Sequence, residues 1–148
     1  MLTDDVLYQE VENACAYCGQ RGKENLSKHH IDHDRSNNNY DNQIILCHNC
    51  HHRHTKGKGI PDEDIIELKR RLIKKTLTQP GVNALKMSHR NKAGIMAMPY
   101  EVYHLVDLGY MLQKETQMEY EVEEGTIEVT ARFTITDTGK RLYEKWLK

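Results

Sequence analysis

Long apolar runs are what this 148-residue sequence most clearly lacks. No stretch approaches the roughly 18 consecutive apolar residues of a membrane-spanning helix, so we expect no membrane span. The first residues, MLTDDVLYQEVENACAYCG, are acidic and lack the basic and then apolar plan of a secretory signal, which predicts a cytoplasmic protein. Because only 38% of the residues are hydrophobic, with one Phe and one Trp, we expect a small hydrophobic core.

The sequence also lacks an overall excess of charge, because 21 Lys and Arg residues stand against 22 Asp and Glu residues. The two signs are nevertheless separated along the chain. Residues 51–92 contain eleven basic and four acidic residues, whereas residues 99–130 contain eight acidic residues and the single base Lys114. The first stretch predicts a surface that binds phosphate, and the second is not expected to share that role.

Cysteine is scarce, and the four cysteines form two close pairs, Cys15-x-x-Cys18 and Cys47-x-x-Cys50. In a reducing compartment such pairs are better suited to a metal than to disulfides. Two pairs can hold one tetrahedral Zn²⁺ and close the 28-residue loop between them. Free thiols, or a mixed site with a neighbouring histidine, are the alternatives. Since four thiolates saturate zinc, we expect this ion to be structural.

Histidine is abundant, and seven of the nine histidines lie within residues 27–57. In this region NLSKHHI and QIILC alternate or are β-branched and predict two short strands. DHDRSNNNYDN, between them, is rich in turn-forming residues and predicts a loop. A helix is expected to begin near CHNCHHRH and to end before KGKG.

The phrases KHHID, DNQIILC and CHNCHHRH resemble the motif of HNH endonucleases, in the variant that carries two zinc knuckles. The likeness extends from residue 15 to about residue 57, with the three parts in the order and at the spacing of that family. It implies a ββα-metal domain held together by zinc. The fold class expected for the whole chain is therefore α+β.

The resemblance also implies roles for individual residues. His30 corresponds to the general base, which removes a proton from the water that attacks phosphorus. His29 and His51 correspond to the ligands of a catalytic divalent cation, and Asn42 to the amide that orients the base. Adjacent residues of a strand face opposite sides, so His29 and His30 can act on the two sides of a phosphodiester. Without its neighbours, Asn42 would be read as an ordinary turn residue.

Other polar residues of the motif have less certain roles. His33, His52 and His54 are candidates for an extra metal ligand or a phosphate contact, and surface positions are the alternative. Arg53, Lys56 and Lys58 are predicted to contact DNA phosphates, with a solvated helix end as the alternative. Two imidazoles suit Mn²⁺, Ni²⁺, Co²⁺ or Zn²⁺, whereas Mg²⁺ would bind chiefly through water and phosphate oxygens.

Three segments are predicted along the chain. Residues 1–60 form the HNH nuclease domain, residues 61–79 a basic linker helix that begins after Pro61, and TQPG separates them from residues 82–148. The last segment predicts helix, helix, hairpin and helix, and its phrases DLGY and ITDTGKRLY resemble part of a winged helix-turn-helix domain. Because its predicted recognition helix and hairpin are acidic, we expect it to contact protein, through self-association or a partner.

Together these features predict a metal-dependent endonuclease that nicks or cuts DNA and, as the resemblance implies, leaves 3′-hydroxyl and 5′-phosphate ends. Because no aromatic residues interleave with the basic run, duplex DNA is favoured over a single strand. A non-catalytic zinc-knuckle DNA-binding regulator is the main alternative. A nuclease subunit controlled by a partner protein is another. Restriction, phage defence and mobile elements all remain open as biological settings.

Overall fold

The structure is a computed structural model that describes residues 3–148, so the first two residues of the predicted nuclease segment lie outside the described residues. The fold is α+β, as predicted, and divides into two compact units, one ending at Thr76 and the other comprising Leu77–Lys148. The three-segment division stays a prediction. No helix among the described residues is long and apolar enough to cross a membrane.

The first unit begins with helix α1, Thr3–Glu10, and then has the two predicted strands and helix. Strand β1, Leu26–His30, pairs antiparallel with strand β2, Gln43–Cys47, so that Leu26 lies opposite Cys47 and His30 opposite Gln43. Helix α2, His48–Thr55, follows β2 directly. The whole of β2 is buried and forms part of a small core with Val6 and Leu7 of α1 and with Ile65 and Ile73 further along the chain.

Helix α3, Asp62–Arg90, begins after Pro61 with three acidic residues in its first turn, as its sequence predicts. It is interrupted at Thr78, where φ is 63° and ψ is 166°, within the predicted TQPG break. The chain does not form a loop there, because the Thr78 hydroxyl accepts a hydrogen bond from Gly81 N and Pro80 lies in the first turn of the resumed helix.

The second unit contains the predicted helix and hairpin together with one unpredicted strand. Strand β3, Ile95–Ala97, precedes helix α4, Pro99–Asp107. Strands β4, Met111–Val122, and β5, Gly125–Ile135, form a long hairpin, and the sheet order is β3-β5-β4. Helix α5, Asp137–Leu142, follows and continues into a π-helical turn, Tyr143–Leu147. A single helix, α4, lies between β3 and β4.

A buried ion pair joins α1 to α3 in the first unit. The Lys69 ammonium donates to Glu10 Oε1 at 2.8 Å, and both side chains are almost fully buried. Tyr40 Oη and Thr76 Oγ1 donate to the other oxygen of Glu10, and the Tyr40 ring lies beneath the ammonium at 3.9 Å. Burial lowers the pKa of Lys69, although Glu10 opposes that shift, so the pair depends on mutual contact.

We expect Lys69→Met to lower the free energy of unfolding by about 3–5 kcal/mol, because it leaves the Glu10 carboxylate buried without its cation. Urea denaturation of the full chain measures this loss. Lys74→Met on the exposed face of the same helix is the matched control and should change stability little. Equal stability of the Lys69 and Lys74 variants would show that the buried pair contributes nothing.

Candidate active site

The four cysteines come together as the sequence predicts, with sulfur atoms that all lie within 4.8 Å of one another. Cys18 Sγ and Cys47 Sγ are 3.7 Å apart, close to the about 3.8 Å that separates two sulfurs bound tetrahedrally to one zinc. The amides of Cys18 and Cys50 donate to the sulfurs of Cys15 and Cys47. The cluster could therefore hold a structural metal ion such as zinc.

The electrostatics of the cysteine cluster favour a cation. Burial raises the pKa of the Cys50 thiol, and the neighbouring thiols raise it further. Burial also raises the pKa of Cys15, but backbone amides oppose this effect and bring it to about 7. The four groups cannot all become thiolates unless positive charge enters the cluster, which is what a divalent ion would supply.

The last two residues of β1 face different surroundings because consecutive strand residues point to opposite sides. His29 is only 3% exposed, whereas His30 is half-buried. His29 Nδ1 lies 3.3 Å from Nε2 of His51 on α2. Two nitrogens bound tetrahedrally to one zinc lie about 3.4 Å apart, so these two rings are spaced to hold a cation together.

The Nδ1 nitrogen of His51, which does not face His29, is in contact with the Ser27 hydroxyl. The Ser27 hydroxyl lies 2.8 Å from His51 Nδ1 and can accept the Nδ1 proton while it donates to Leu46 O at 3.5 Å. His51 Nε2 then has a lone pair directed toward His29. Metal-binding histidines are usually oriented in this way by a polar group on the far nitrogen.

Both rings are held in the neutral form that binds metals. Burial lowers the pKa of His29 to about 4, and the charges of His51, His54, His33 and His30 add to the effect. Burial likewise lowers the pKa of His51. His29 Nε2 is buried with no hydrogen-bond partner among the described residues. If Nδ1 binds the cation, the ring proton lies on Nε2, which has no acceptor among the described residues.

His30 is oriented by Asn38, which is itself held by Gln43, and neither side chain was identified from the sequence. Its Nε2 lies 2.8 Å from Asn38 Oδ1 and 3.2 Å from Gln43 Nε2, and Gln43 also donates to Asn38 Oδ1. Since Asn38 Oδ1 can only accept, His30 Nε2 carries a proton and a neutral His30 has its basic lone pair on Nδ1. The pairing of His30 with Gln43 follows from the register of the two strands.

Asn42 holds the loop after β1. Its Oδ1 accepts from Asp32 N at 3.1 Å, and its Nδ2 donates to Asp32 Oδ1 and to Asn37 O. Its own carbonyl accepts from Ile31 N at 2.8 Å. Asn42 therefore acts on the backbone that follows His30, whereas Asn38 and Gln43 contact the His30 ring itself. Its role in catalysis stays a prediction.

A cavity of about 310 Å³ opens beside the histidines, and its lining residues are Lys28, His29, His30, His33, Arg35, His51 and Thr55. Its volume is at the lower end for ligand sites and suits a small polar group. Two of its cations, Lys28 and Arg35, are missing from the predicted set. None of the Phe, Tyr or Trp residues that the structure describes lines the cavity.

The other predicted residues are spread around this region. His52 is exposed, and neither it nor any of the three predicted phosphate contacts, Arg53, Lys56 and Lys58, lines the cavity. Arg53 donates to Lys58 O at 3.4 Å, which closes the end of α2. His54 is buried and faces Ile60 and Asp62 rather than the cavity. The phosphate role of the three basic residues stays a prediction.

No protein-family model matches the chain, and no curated protein or solved structure is significantly similar to it. The function is therefore inferred from the residues and their geometry.

The lowered pKa of His29 predicts how this ring responds to acid. Because its pKa is about 4 in the folded chain and ordinarily 6.5, the unfolded chain binds the proton first as pH falls. This contribution to stability is complete above pH 6.5 and is lost as the pH falls toward about 4, at up to about 1.4 kcal/mol per pH unit.

An NMR titration of the metal-free histidine site, with the cysteine cluster loaded with zinc, measures this response through the His29 ring protons. We expect their midpoint near pH 4. A midpoint near 6.5 would mean that the ring is hydrated and is not held as a neutral ligand.

Proposed function

We propose that this chain is a metal-dependent endonuclease of the HNH type that hydrolyses phosphodiester bonds in duplex DNA. The observation that carries the proposal is the His29 and His51 nitrogen pair, 3.3 Å apart, which shares one cavity with the half-buried His30. Binding DNA needs neither a buried pair of neutral imidazoles nor a third imidazole oriented through its far nitrogen. Hydrolysis of a phosphodiester uses both.

The proposed division of labour follows the pleat of β1. His30 Nδ1 accepts a proton from a water molecule, whose oxygen forms the new bond to phosphorus. The bond to the 3′ oxygen breaks, and that oxygen takes a proton from solvent, giving 3′-hydroxyl and 5′-phosphate ends. Asn38 keeps the proton on His30 Nε2, so the lone pair is on the correct nitrogen.

The other residues that line the cavity would bind the cation and the DNA phosphate. His29 and His51 would bind the cation, which would supply positive charge beside the phosphate oxygens and the leaving 3′ oxygen. Mn²⁺, Ni²⁺, Co²⁺ and Zn²⁺ suit two imidazoles, and Mg²⁺ would depend on water and phosphate oxygens. Arg35 and Lys28 line the same cavity and would contact the phosphate, although Lys28 is paired with Asp4 at 3.0 Å. A duplex is favoured because none of the described Phe, Tyr or Trp residues lines the cavity.

The proposal extends to the two parts of the fold around the site. We infer that the four-cysteine cluster holds zinc, since its sulfur spacing matches that ion and a divalent charge would stabilise the four thiolates. For the second unit we infer a winged-helix-like fold, although α4 is the single described helix between β3 and the hairpin. Its hairpin exposes Met118, Tyr120 and Ile127 among acidic residues, which favours contact with protein over contact with DNA.

A plasmid-nicking assay with Mg²⁺, Mn²⁺ or Ni²⁺ tests the proposed activity. We expect His30→Ala to lower the nicking rate by about 10²–10⁴-fold, because the attacking water loses its base. The zinc content and the unfolding transition should stay those of the parent. His89→Ala in the second unit is the control for removal of an imidazole and should leave the rate unchanged.

Two outcomes would contradict the nuclease proposal. If His30→Ala nicks DNA at the rate of the parent, His30 is not the general base. DNA binding by the parent, without cleavage under any of the cations, would instead favour a zinc-knuckle regulator.

A further inference from the structure

A second group of metal-ligating side chains lies near the cavity. One ligand atom from each of His33, His54 and Asp62 lies within 4.8 Å of the others. They come from the loop after β1, from helix α2 and from the first residue of α3. The group shares no residue with the His29 and His51 pair, and only His33 also lines the cavity.

The His54 ring is fixed in one tautomer. Its Nδ1 lies 2.8 Å from Ile60 O, and because a carbonyl oxygen can only accept, Nδ1 carries the proton. The ring is buried, with a side chain that is 3% exposed. In the neutral ring, Nε2 therefore has a lone pair that cannot turn away. A backbone carbonyl on the far nitrogen is a usual means of orienting a metal-binding histidine.

The lone pair on His54 Nε2 faces a second acceptor. Asp62 Oδ1 lies 3.4 Å from it, so a neutral imidazole and a carboxylate oppose each other. This contact becomes favourable only when a positive charge enters between the two atoms, either a proton or a metal cation. The remaining ligand, His33, has a ring stacked on that of His54 at 6.1 Å with an interplanar angle of 16°.

The backbone places His33 in a tight turn. Its φ is 64°, in the left-handed region, where histidine is found more often than most residues other than glycine. The turn is closed by a hydrogen bond from His33 N to His30 O. His33 and Asp62 are exposed, so their side chains can close on an ion while His54 stays fixed.

We propose that His33, His54 and Asp62 form a second divalent-cation site, built from two imidazoles and one carboxylate. Such a set suits Zn²⁺ or Co²⁺ and leaves coordination positions open to water or to a phosphate oxygen. The site does not depend on the proposed nuclease activity. A cation would bind at this site whether or not the chain cleaves DNA.

The cation at this site would join the loop after β1 to α2 and to the first turn of α3. The loop that holds His33 also contains Asn37, which bonds Asn42, and Asn38, which bonds His30. Binding at the second site therefore orders the loop that places the proton on His30. Amides of residues 33–38 exchange more slowly with solvent in the presence of the ion.

Titration of Co²⁺ into the full chain, with zinc already in the cysteine cluster, tests the site. Isothermal calorimetry counts the ions, and absorption shows whether thiolate ligands are involved. We expect Asp62→Asn and His33→Asn each to weaken one class of site by more than about tenfold. The asparagine at residue 33 keeps the left-handed backbone. The class assigned to His29 and His51 should be unaffected.

Matched controls are Asp64→Asn, two residues further along α3, and His52→Asn, an exposed histidine of α2 that belongs to neither group of ligands. Both should bind Co²⁺ as the parent does. Binding by Asp62→Asn and His33→Asn that equals the parent would overturn the site and leave a protonated His54 paired with Asp62. A thiolate-to-cobalt absorption band would show that Co²⁺ had entered the cysteine cluster. If that band appears and calorimetry finds no second class of sites, the proposed site is also overturned.

Discussion

The cysteine cluster at the junction of β2 and α2 is the constraint on which the first unit depends. Cys47 ends β2 and caps α2, and its sulfur accepts the amide proton of Cys50. His51 is the next residue, so the cluster also determines where that imidazole meets β1. The other cysteine pair is joined to β2 through a hydrogen bond from Ala16 N to Ile45 O. The cysteine cluster thus stabilises the small core next to the candidate site.

One electrostatic rule governs the charged and ionisable groups of this unit: burial penalises charge unless an opposite charge is close. Lys69 and Glu10 satisfy the rule with each other. Cys50 and His29 do not, since each is buried among groups of its own kind that would carry the same charge. Both are therefore held in the neutral form, and a bound cation would add the strongest local charge.

The local sequence predicted much of the first unit. Alternation and β-branching predicted β1 and β2, and Cys-x-x-Cys spacing predicted the sulfur cluster, because these signals depend on neighbours in the chain. The contacts of His30 with Asn38 and of His54 with Asp62 could not be predicted, since they depend on the path of a loop. In the second unit β3 was missed because three residues are too few to show a period.

The break in α3 could likewise be predicted only in part from the local sequence. TQPG predicted an interruption, and Thr78 has the non-helical backbone. The sequence did not indicate that the helix would resume at once, because that depends on whether Thr78 can cap the next turn. The basic residues after α2 suggested the phosphate contacts, yet Lys28 and Arg35 line the cavity. Charge density along the chain indicated residues 51–92, and the two cations that line the cavity lie outside that stretch.

The most direct test is anomalous diffraction from crystals of the chain bound to Mn²⁺ and a short DNA duplex, with His30 replaced by alanine to prevent cleavage. The account predicts a manganese peak at bonding distance from His29 Nδ1 and His51 Nε2, with a DNA phosphate beside it. A duplex bound elsewhere, or His29 and His51 bonded only to each other and to Ser27, would contradict it.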